Sequence, residues 1–183
     1  MANHRTRAGY AGALFVLLLA LRAVAQAPDP VPYDPQFAPA YIFAGPGHSD
    51  TIPVFASAGY AKKTGEFNVA GPNKFPIYTY GEVRAYRQEG KQITDFLGGV
   101  LLPFYAKRLA GFDIKLAIGG NAGVSTSAAN IGYSLGAKVV ADVTRAAWKT
   151  RGFYVAANPT RSSIGGVHAS EASAGVRISF AGF

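Results

Sequence analysis

His168, Ser170 and Glu171 lie within four residues of one another. They are the types acyl transfer uses: a hydroxyl nucleophile, a base to take its proton and a carboxylate to orient the base. On a strand, His168 and Ser170 would share a face while Glu171 pointed away. The plainer reading is a set of polar residues in a loop at a strand end. Gly119-Gly120-Asn121-Ala122-Gly123 has the look of a phosphate loop, but no Lys-Ser/Thr pair and no helix follow it. Past the leader only His48 and His168 remain, far apart and without a ligand partner at useful spacing, so neither a metal nor a cofactor is expected. Cysteine is absent, which removes disulfides, thiolate ligands, a thiol nucleophile and a lipid anchor on an N-terminal cysteine.

The elements that must hold these residues are strands. From Phe112 the even positions Phe112, Ile114, Leu116, Ile118, Gly120, Ala122 and Val124 are mostly apolar, and the odd positions Asp113, Lys115, Ala117, Gly119, Asn121, Gly123 and Ser125 are small or polar. After a turn the pattern returns: Ile131, Tyr133, Leu135, Ala137, Val139, Ala141 and Val143 face one way, Asn130, Gly132, Ser134, Gly136, Lys138 and Asp142 the other. A period of two is a β signal, and each run exceeds the roughly 9–11 residues with which a tilted strand crosses a bilayer. Small residues on the polar face suit a crowded, narrow interior. The glycines of 119–123 are therefore read as space-savers, and the fold class as an all-β, antiparallel up-and-down transmembrane β-barrel of about eight strands.

Residues 1–25 read as a secretory signal peptide: Arg5 and Arg7, an apolar run from Ala11 to Leu21, and Ala23-Val24-Ala25 before Gln26. Residues 26–50 hold six prolines and read as a Pro-rich tail or linker, in which Ala40-Tyr41-Ile42-Phe43 could add a short strand or pack into the barrel mouth. Residues 51–183 form the barrel. The spacing predicts strands at about 52–61, 76–88, 92–105, 112–126, 129–144, 149–158, 162–168 and 172–181. Tight turns are expected at Glu89-Gly90-Lys91, Ser127-Ala128 and Pro159-Thr160-Arg161, with longer links over 62–75, 106–111, 145–148 and 169–171. Short turns on the periplasmic side, longer ones outside and an even strand number fit an outer-membrane barrel with both termini in the periplasm.

Charge sorts on that scheme. Removing Arg5, Arg7 and Arg22 with the leader leaves 15 bases against 10 acids, +5. Glu82, Arg84, Asp95, Asp113, Lys115, Lys138, Asp142 and Arg177 project inward, four bases and four acids, and must pair inside a barrel filled by its own side chains. That argues against an open pore. The outer loops and adjoining strand tips carry Lys62, Lys63, Lys74, Lys107, Arg108, Arg145, Lys149 and Arg151 against Glu66 and Glu171, a basic rim expected to contact lipopolysaccharide phosphates. Export makes nucleic acid an unlikely partner class.

The C-terminal run Val176-Arg177-Ile178-Ser179-Phe180-Ala181-Gly182-Phe183 resembles that of small bacterial outer-membrane β-barrel proteins. There a terminal aromatic with alternating apolar residues upstream is the signal for the barrel-assembly machinery. Here the apolar phase is Val176, Ile178, Phe180, out of step with Phe183: either Phe180 is the functional end with three residues appended, or the signal is weak. The resemblance implies a Gram-negative cell envelope. His168-Ala169-Ser170 resembles the His-x-Ser pair of eight-stranded lipid A deacylases, without that family's following Asn and later Glu. Tyr80-Gly81-Glu82-Val83-Arg84-Ala85-Tyr86-Arg87, Asp95-Phe96-Leu97-Gly98-Gly99, Asp113 to Gly119 and Gly136-Ala137-Lys138 resemble, in that order, segments of BcsS-type barrels of cellulose biosynthesis, which implies a role beside polysaccharide-export partners with no catalytic residues. The expectation drawn from all this is a non-enzymatic outer-membrane barrel, a surface structural or interaction protein. The alternatives are a cellulose or exopolysaccharide accessory barrel, a lipid A deacylase-like hydrolase and a soluble periplasmic β-domain.

Overall fold

The computed structural model describes residues 38–68, 74–148, 150–164, 166–168 and 171–180. The leader, the tail as far as residue 37, Lys149, Ser170 and Phe183 lie outside the described residues. Ten strand segments follow in order: β1 (Ala40–His48), β2 (Phe55–Asn68), β3 (Lys74–Gln88), β4 (Lys91–Leu109), β5 (Phe112–Ser127), β6 (Asn130–Arg145), β7 (Arg151–Ala157), β8 (Thr160–Ser162), β9 (Gly166–His168) and β10 (Ala172–Phe180). One 3-10 turn, Ala146–Trp148, joins β6 to β7.

All pairings are antiparallel, and the sheet closes on itself. Strands β1 to β6 pair in sequence, β6 pairs with β7, β7 with β10, and β10 with β1. These eight strands form a ring. The β8–β9 hairpin continues beside β6 at Ser134–Gly136, so β7 and β8 follow one path along β6 with a break at Asn158-Pro159. Counted around the ring the register closes with an offset. One way, Gly47 leads through Phe55, Tyr86, Ile93 and Ser127 to Asn130; the other way it leads through Ser173 and Ala156 to Val140. The stagger is 140 − 130, or ten residues. At ~3.3 Å per residue and ~4.8 Å between strands, ten residues over eight strands tilt each strand by about 40°.

Local chemistry explains the connections. Glu89-Gly90 and Ala110-Gly111 both have positive φ at the two central positions, 49° and 79°, 49° and 81°, the backbone of a two-residue hairpin turn, which glycine supplies without strain. The second of these replaces the longer link expected over 106–111. Bulges at Lys63/Gly65 and Pro103/Tyr105 shift the register and change which face the following residues take. Strand β2 thus runs on to Asn68 and β3 begins at Lys74, where a link over 62–75 was expected.

Three further expectations are corrected. Strand β1 lies inside the stretch read as a Pro-rich tail. Its Pro46 sits where β1 has no β10 partner, between Ala44↔Val176 and Gly47↔Ser173, so the missing N–H costs no ladder bond. Pro159-Thr160-Arg161 is not a turn: Pro159 accepts a bond from the Ala137 N–H and the chain continues along β6 to Ser162, with the turn beginning at 163–164. The three strands placed at 149–158, 162–168 and 172–181 are therefore two strand paths, each broken once, and the count of eight is kept by β1.

This addition moves the chain ends. Ala40 pairs with Phe180, so β1 begins and β10 ends at one end of the ring, called here the terminal end. There β2 ends and β3 begins, β4 turns into β5 at 110–111, and β6 ends and β7 begins. The far end carries 49–54, 89–90, 128–129 and the end of β8.

Candidate functional site

The inside of the ring holds polar residues in three tiers, set among a buried cluster that includes Tyr41, Phe43, Tyr78, Tyr80, Leu101, Val140 and Tyr154. Nearest the terminal end, buried Arg177 pairs with Asp142 and lies 5.4 Å from the Tyr41 ring centroid. In the middle, Lys138 pairs with Glu82, its ammonium between the rings of Phe43 and Tyr80 at 5.0 and 4.9 Å. Toward the far end, Arg84, 2% exposed, bonds Asp95 at 3.0 Å, Glu171 and the Thr160 hydroxyl at 3.3 Å. Ser125 donates to Asp95 and touches Ser162 at 2.8 Å. Asn158 donates to Glu171 at 3.0 Å and accepts from Asn121, which also bonds the Tyr80 hydroxyl, both at 3.0 Å.

Glycines leave the room for this. A Cβ on Gly119 or Gly123 would fall 1.8 and 1.9 Å from the backbone oxygens of Val100 and Phe96, as the reading of the 119–123 glycines as space-savers predicts. Between Tyr41, Phe43, Lys138, Asp142, Tyr154 and Arg177 a cavity of about 20 Å³ remains, space for one water. An apolar plug of Ile52, Phe55, Tyr86 and Ile93, with Ile164 against it, closes the far end of this column. Above the plug opens a bowl of about 510 Å³, rimmed by Gln88, Glu89, Lys91, Ser127, Asn130 and Ser163.

Of the residues that could do acyl transfer, the structure brings one into the interior. Glu171, expected in an outer loop, is buried, and its carboxylate is taken up by Arg84 and Asn158. His168 sits on β9 opposite Thr160; Ser170 lies outside the described residues. Glu171 raises the fully buried acids to four (Glu82, Asp95, Asp142, Glu171) against three fully buried bases (Arg84, Lys138, Arg177); Lys115, half-buried opposite Asp142 on the inward phase of β5, adds a fourth base at the terminal end of the column. Asp113, expected inside, instead holds Arg108 at the terminal end through bonds of 2.6 and 3.1 Å.

The predicted basic rim lies at the terminal end. Lys107, Arg108 and Arg145 stand at strand ends and Lys74 and Arg151 begin strands, the strand tips expected for them, while Lys62 and Lys63 lie within β2, which runs on past them to Asn68. These seven bases face two acids, Glu66 and Asp113: seven minus two, +5. At the far end Arg87, Lys91 and Arg161 face Asp50 and Glu89: three minus two, +1. Direction separates the basic set further. Lys63 pairs with Glu66, Lys74 lies 3.9 Å from the same carboxylate, and Arg108 holds Asp113. Lys62, Lys107, Arg145 and Arg151 fall on the outward phase of their strands, and among the described residues no carboxylate pairs with them.

The outer face is apolar. Ile42, Tyr60, Val83, Phe96, Val100, Phe104, Ile118, Val124, Tyr133, Leu135, Phe153, Val155, Val176 and Ile178 are all more than 40% exposed. Aromatic side chains gather toward the terminal end. Tyr60 stacks on Phe180 at 6.1 Å, Phe67 on Phe75 at 5.5 Å, and Trp148 meets Phe112 and Phe153 edge-on at 5.6 and 5.4 Å. Arg145 lies 5.5 Å from the Phe112 ring centroid. Compared with known proteins, the chain matches no family model, no curated protein and no solved structure.

Proposed function

We propose that the chain is a non-enzymatic outer-membrane β-barrel that acts as a structural or interaction protein through its two rims. The pairing of its two faces carries this reading: inside, buried ion pairs are set among aromatic and aliphatic side chains, while the outward face is a run of exposed isoleucine, valine and phenylalanine. A water-soluble domain leaves contiguous apolar surface of only a few hundred Å², and here the apolar face girdles the ring. In lipid the same face is the stable one, and closure of the eight-stranded ring pairs its strands on both sides, leaving the three-residue β9 as the one-sided edge.

Dimensions agree with a bilayer. On β3 the outward positions between Lys74 and Arg87 are Phe75, Ile77, Thr79, Gly81, Val83 and Ala85, without a charge. At the ~40° tilt that stretch rises about 25 Å, close to the apolar band of outer-membrane barrels. The filled interior supports a solid barrel over a channel. What is left for contact is the rims: the bowl at the far end and the basic, aromatic collar at the terminal end.

Sidedness follows from chain direction. Export by an N-terminal leader with an even number of strands leaves both termini in the periplasm, so the basic collar faces the periplasm and the bowl faces outward. The lipopolysaccharide contact expected when the first strand was set at residue 52 therefore gives way to anionic head groups of the inner leaflet. The test is fractionation with gel mobility, unboiled against boiled in SDS. Recovery in the outer-membrane fraction with a faster unboiled band is expected. Recovery in the osmotic-shock fraction with no shift overturns the reading.

A further inference from the structure

The four outward cations are not spread evenly. Arg145 ends β6 and Arg151 begins β7, and the pairing Thr144↔Gly152 makes them cross-strand neighbours on the same outward phase. The connection between them carries Trp148, wedged edge-on between Phe112 and Phe153, and Arg145 is steadied over the Phe112 ring. Two arginines thus stand on neighbouring strands, on the same outward phase, at the lower edge of an apolar face and beside an aromatic trio of the kind that marks a membrane interface. Elsewhere at this end the cations facing inward are used by Glu66 and Asp113; these two meet no carboxylate among the described residues.

We propose that the β6–β7 corner, Arg145 and Arg151 with Trp148, Phe112 and Phe153, is a binding site for one anionic phospholipid. Its phosphate bridges the two guanidinium groups, and its acyl chains lie along Phe153 and Val155. The inference rests on the barrel reading. Guanidinium groups suit a phosphate because their donors form a planar fork. A phosphate on the interfacial plane lies level with the Trp148 ring. At low salt each base near an anionic surface contributes roughly a fivefold preference.

Trp148 is the chain's one tryptophan, so its fluorescence reports on this corner alone. The full chain, folded into phosphatidylcholine vesicles, is titrated with phosphatidylglycerol carrying brominated acyl chains, and the quenching is compared with brominated phosphatidylcholine at the same mole fraction. Brominated phosphatidylglycerol should quench several-fold more effectively, high salt should reduce the excess, and Arg145→Gln/Arg151→Gln should abolish it while keeping the heat-shifted gel band. Arg145→Lys/Arg151→Lys should restore much of it, and Lys62→Gln, on β2, should leave it unchanged. Equal quenching by the two lipids overturns the proposal, as does an excess that survives Arg145→Gln/Arg151→Gln. Displacement of the brominated lipid by millimolar inorganic phosphate, or more effectively by lipopolysaccharide than by unbrominated phosphatidylglycerol, overturns the choice of phospholipid. If brominated phosphatidylcholine does not quench at all, the chain has not entered the bilayer, and the barrel reading fails instead.

Discussion

Replacing Arg84 by Met tests whether the interior charges hold the ring together or merely fill it. Arg84 is 2% exposed and serves two carboxylates, Asp95 and Glu171, with Thr160 as a third partner. At the 3.0 Å separation from Asp95 and an effective dielectric near 20, the bare attraction is about 5–6 kcal/mol, much of it offset by desolvation. Removing one partner of a buried pair costs about 3–5 kcal/mol because the other charge is left uncompensated. Here two acids are stranded by one substitution, so Arg84→Met should sit at or above the top of that range. Against a total stability of about 5–15 kcal/mol, that is enough to lower the boiling-resistant gel transition steeply and to shift the urea midpoint in detergent micelles. Replacing all three groups together, Arg84→Met, Asp95→Leu and Glu171→Gln, strands no charge, leaves Ser125 to bond Ser162, and should recover most of the loss. If Arg84→Met unfolds within about 0.5 kcal/mol of the parent chain, the interior pairs are not what positions β8–β10 against β3, and the account of this tier is refuted.

Ile118 faces outward at 50% exposure. Ile118→Arg should cost about 2–4 kcal/mol in a bilayer but under about 0.5 kcal/mol if that face meets water, so a urea titration of the vesicle-folded variant separates the two. Gly136→Ala would put a Cβ 2.8 Å from Asn121 Oδ1 and 2.9 Å from the Pro159 oxygen. It should lower stability by about 1–3 kcal/mol in the same titration, chiefly by loosening the β8 segment. The absence of cysteine makes sidedness readable: with a membrane-impermeant maleimide on whole cells, Ala129→Cys in the far-end turn should label and Thr150→Cys at the terminal end should not. The reverse pattern would put the basic collar outside.

The central strands were legible because β5 and β6 alternate without interruption: apolar residues outward, small and polar ones inward, with a tight turn between. The inward acids and bases were legible for the same reason, and Glu82, Arg84, Asp95, Lys138, Asp142 and Arg177 all lie inside. Strand β1 was not, because its inward residues Tyr41 and Phe43 are as apolar as its outward Ile42, so no alternation shows, and its prolines argue for a tail. The far half of β2 was hidden by the bulge at Lys63/Gly65, which reverses the phase at the point where charges begin. The bulge at Pro103/Tyr105 likewise turns Arg108 to the side of Asp113. Glu171 was placed in a loop because the break at Asn158-Pro159 cannot be read as a continuing strand without knowing that β6 runs past it. Its partner Arg84, eighty-seven residues away, carries no local signal of the pairing.

One strand, left open in the sequence between a short strand and a packed segment at 40–43, had a larger consequence than its nine residues. With the first strand at residue 52, parity sends Lys62, Lys107, Arg145 and Arg151 to the outer surface; with β1 added, the same residues share an end with the start of β1 and the end of β10. The positions of the cations along their strands hardly change, yet on the proposed barrel reading the lipid leaflet they would face does. A head-group preference argued from charge alone is therefore only as good as the strand count beneath it. The interior argument does not share this weakness, because a side chain's inward or outward phase depends on its own strand and the nearest bulge, not on how many strands precede it. The solid, paired interior thus stands whichever way the ring is inserted, and what insertion decides is which rim meets the outside. On the proposed reading, with β1 first, that is the nearly neutral bowl above Ile52, Phe55, Tyr86 and Ile93, and the collar would be left to hold the barrel in its membrane.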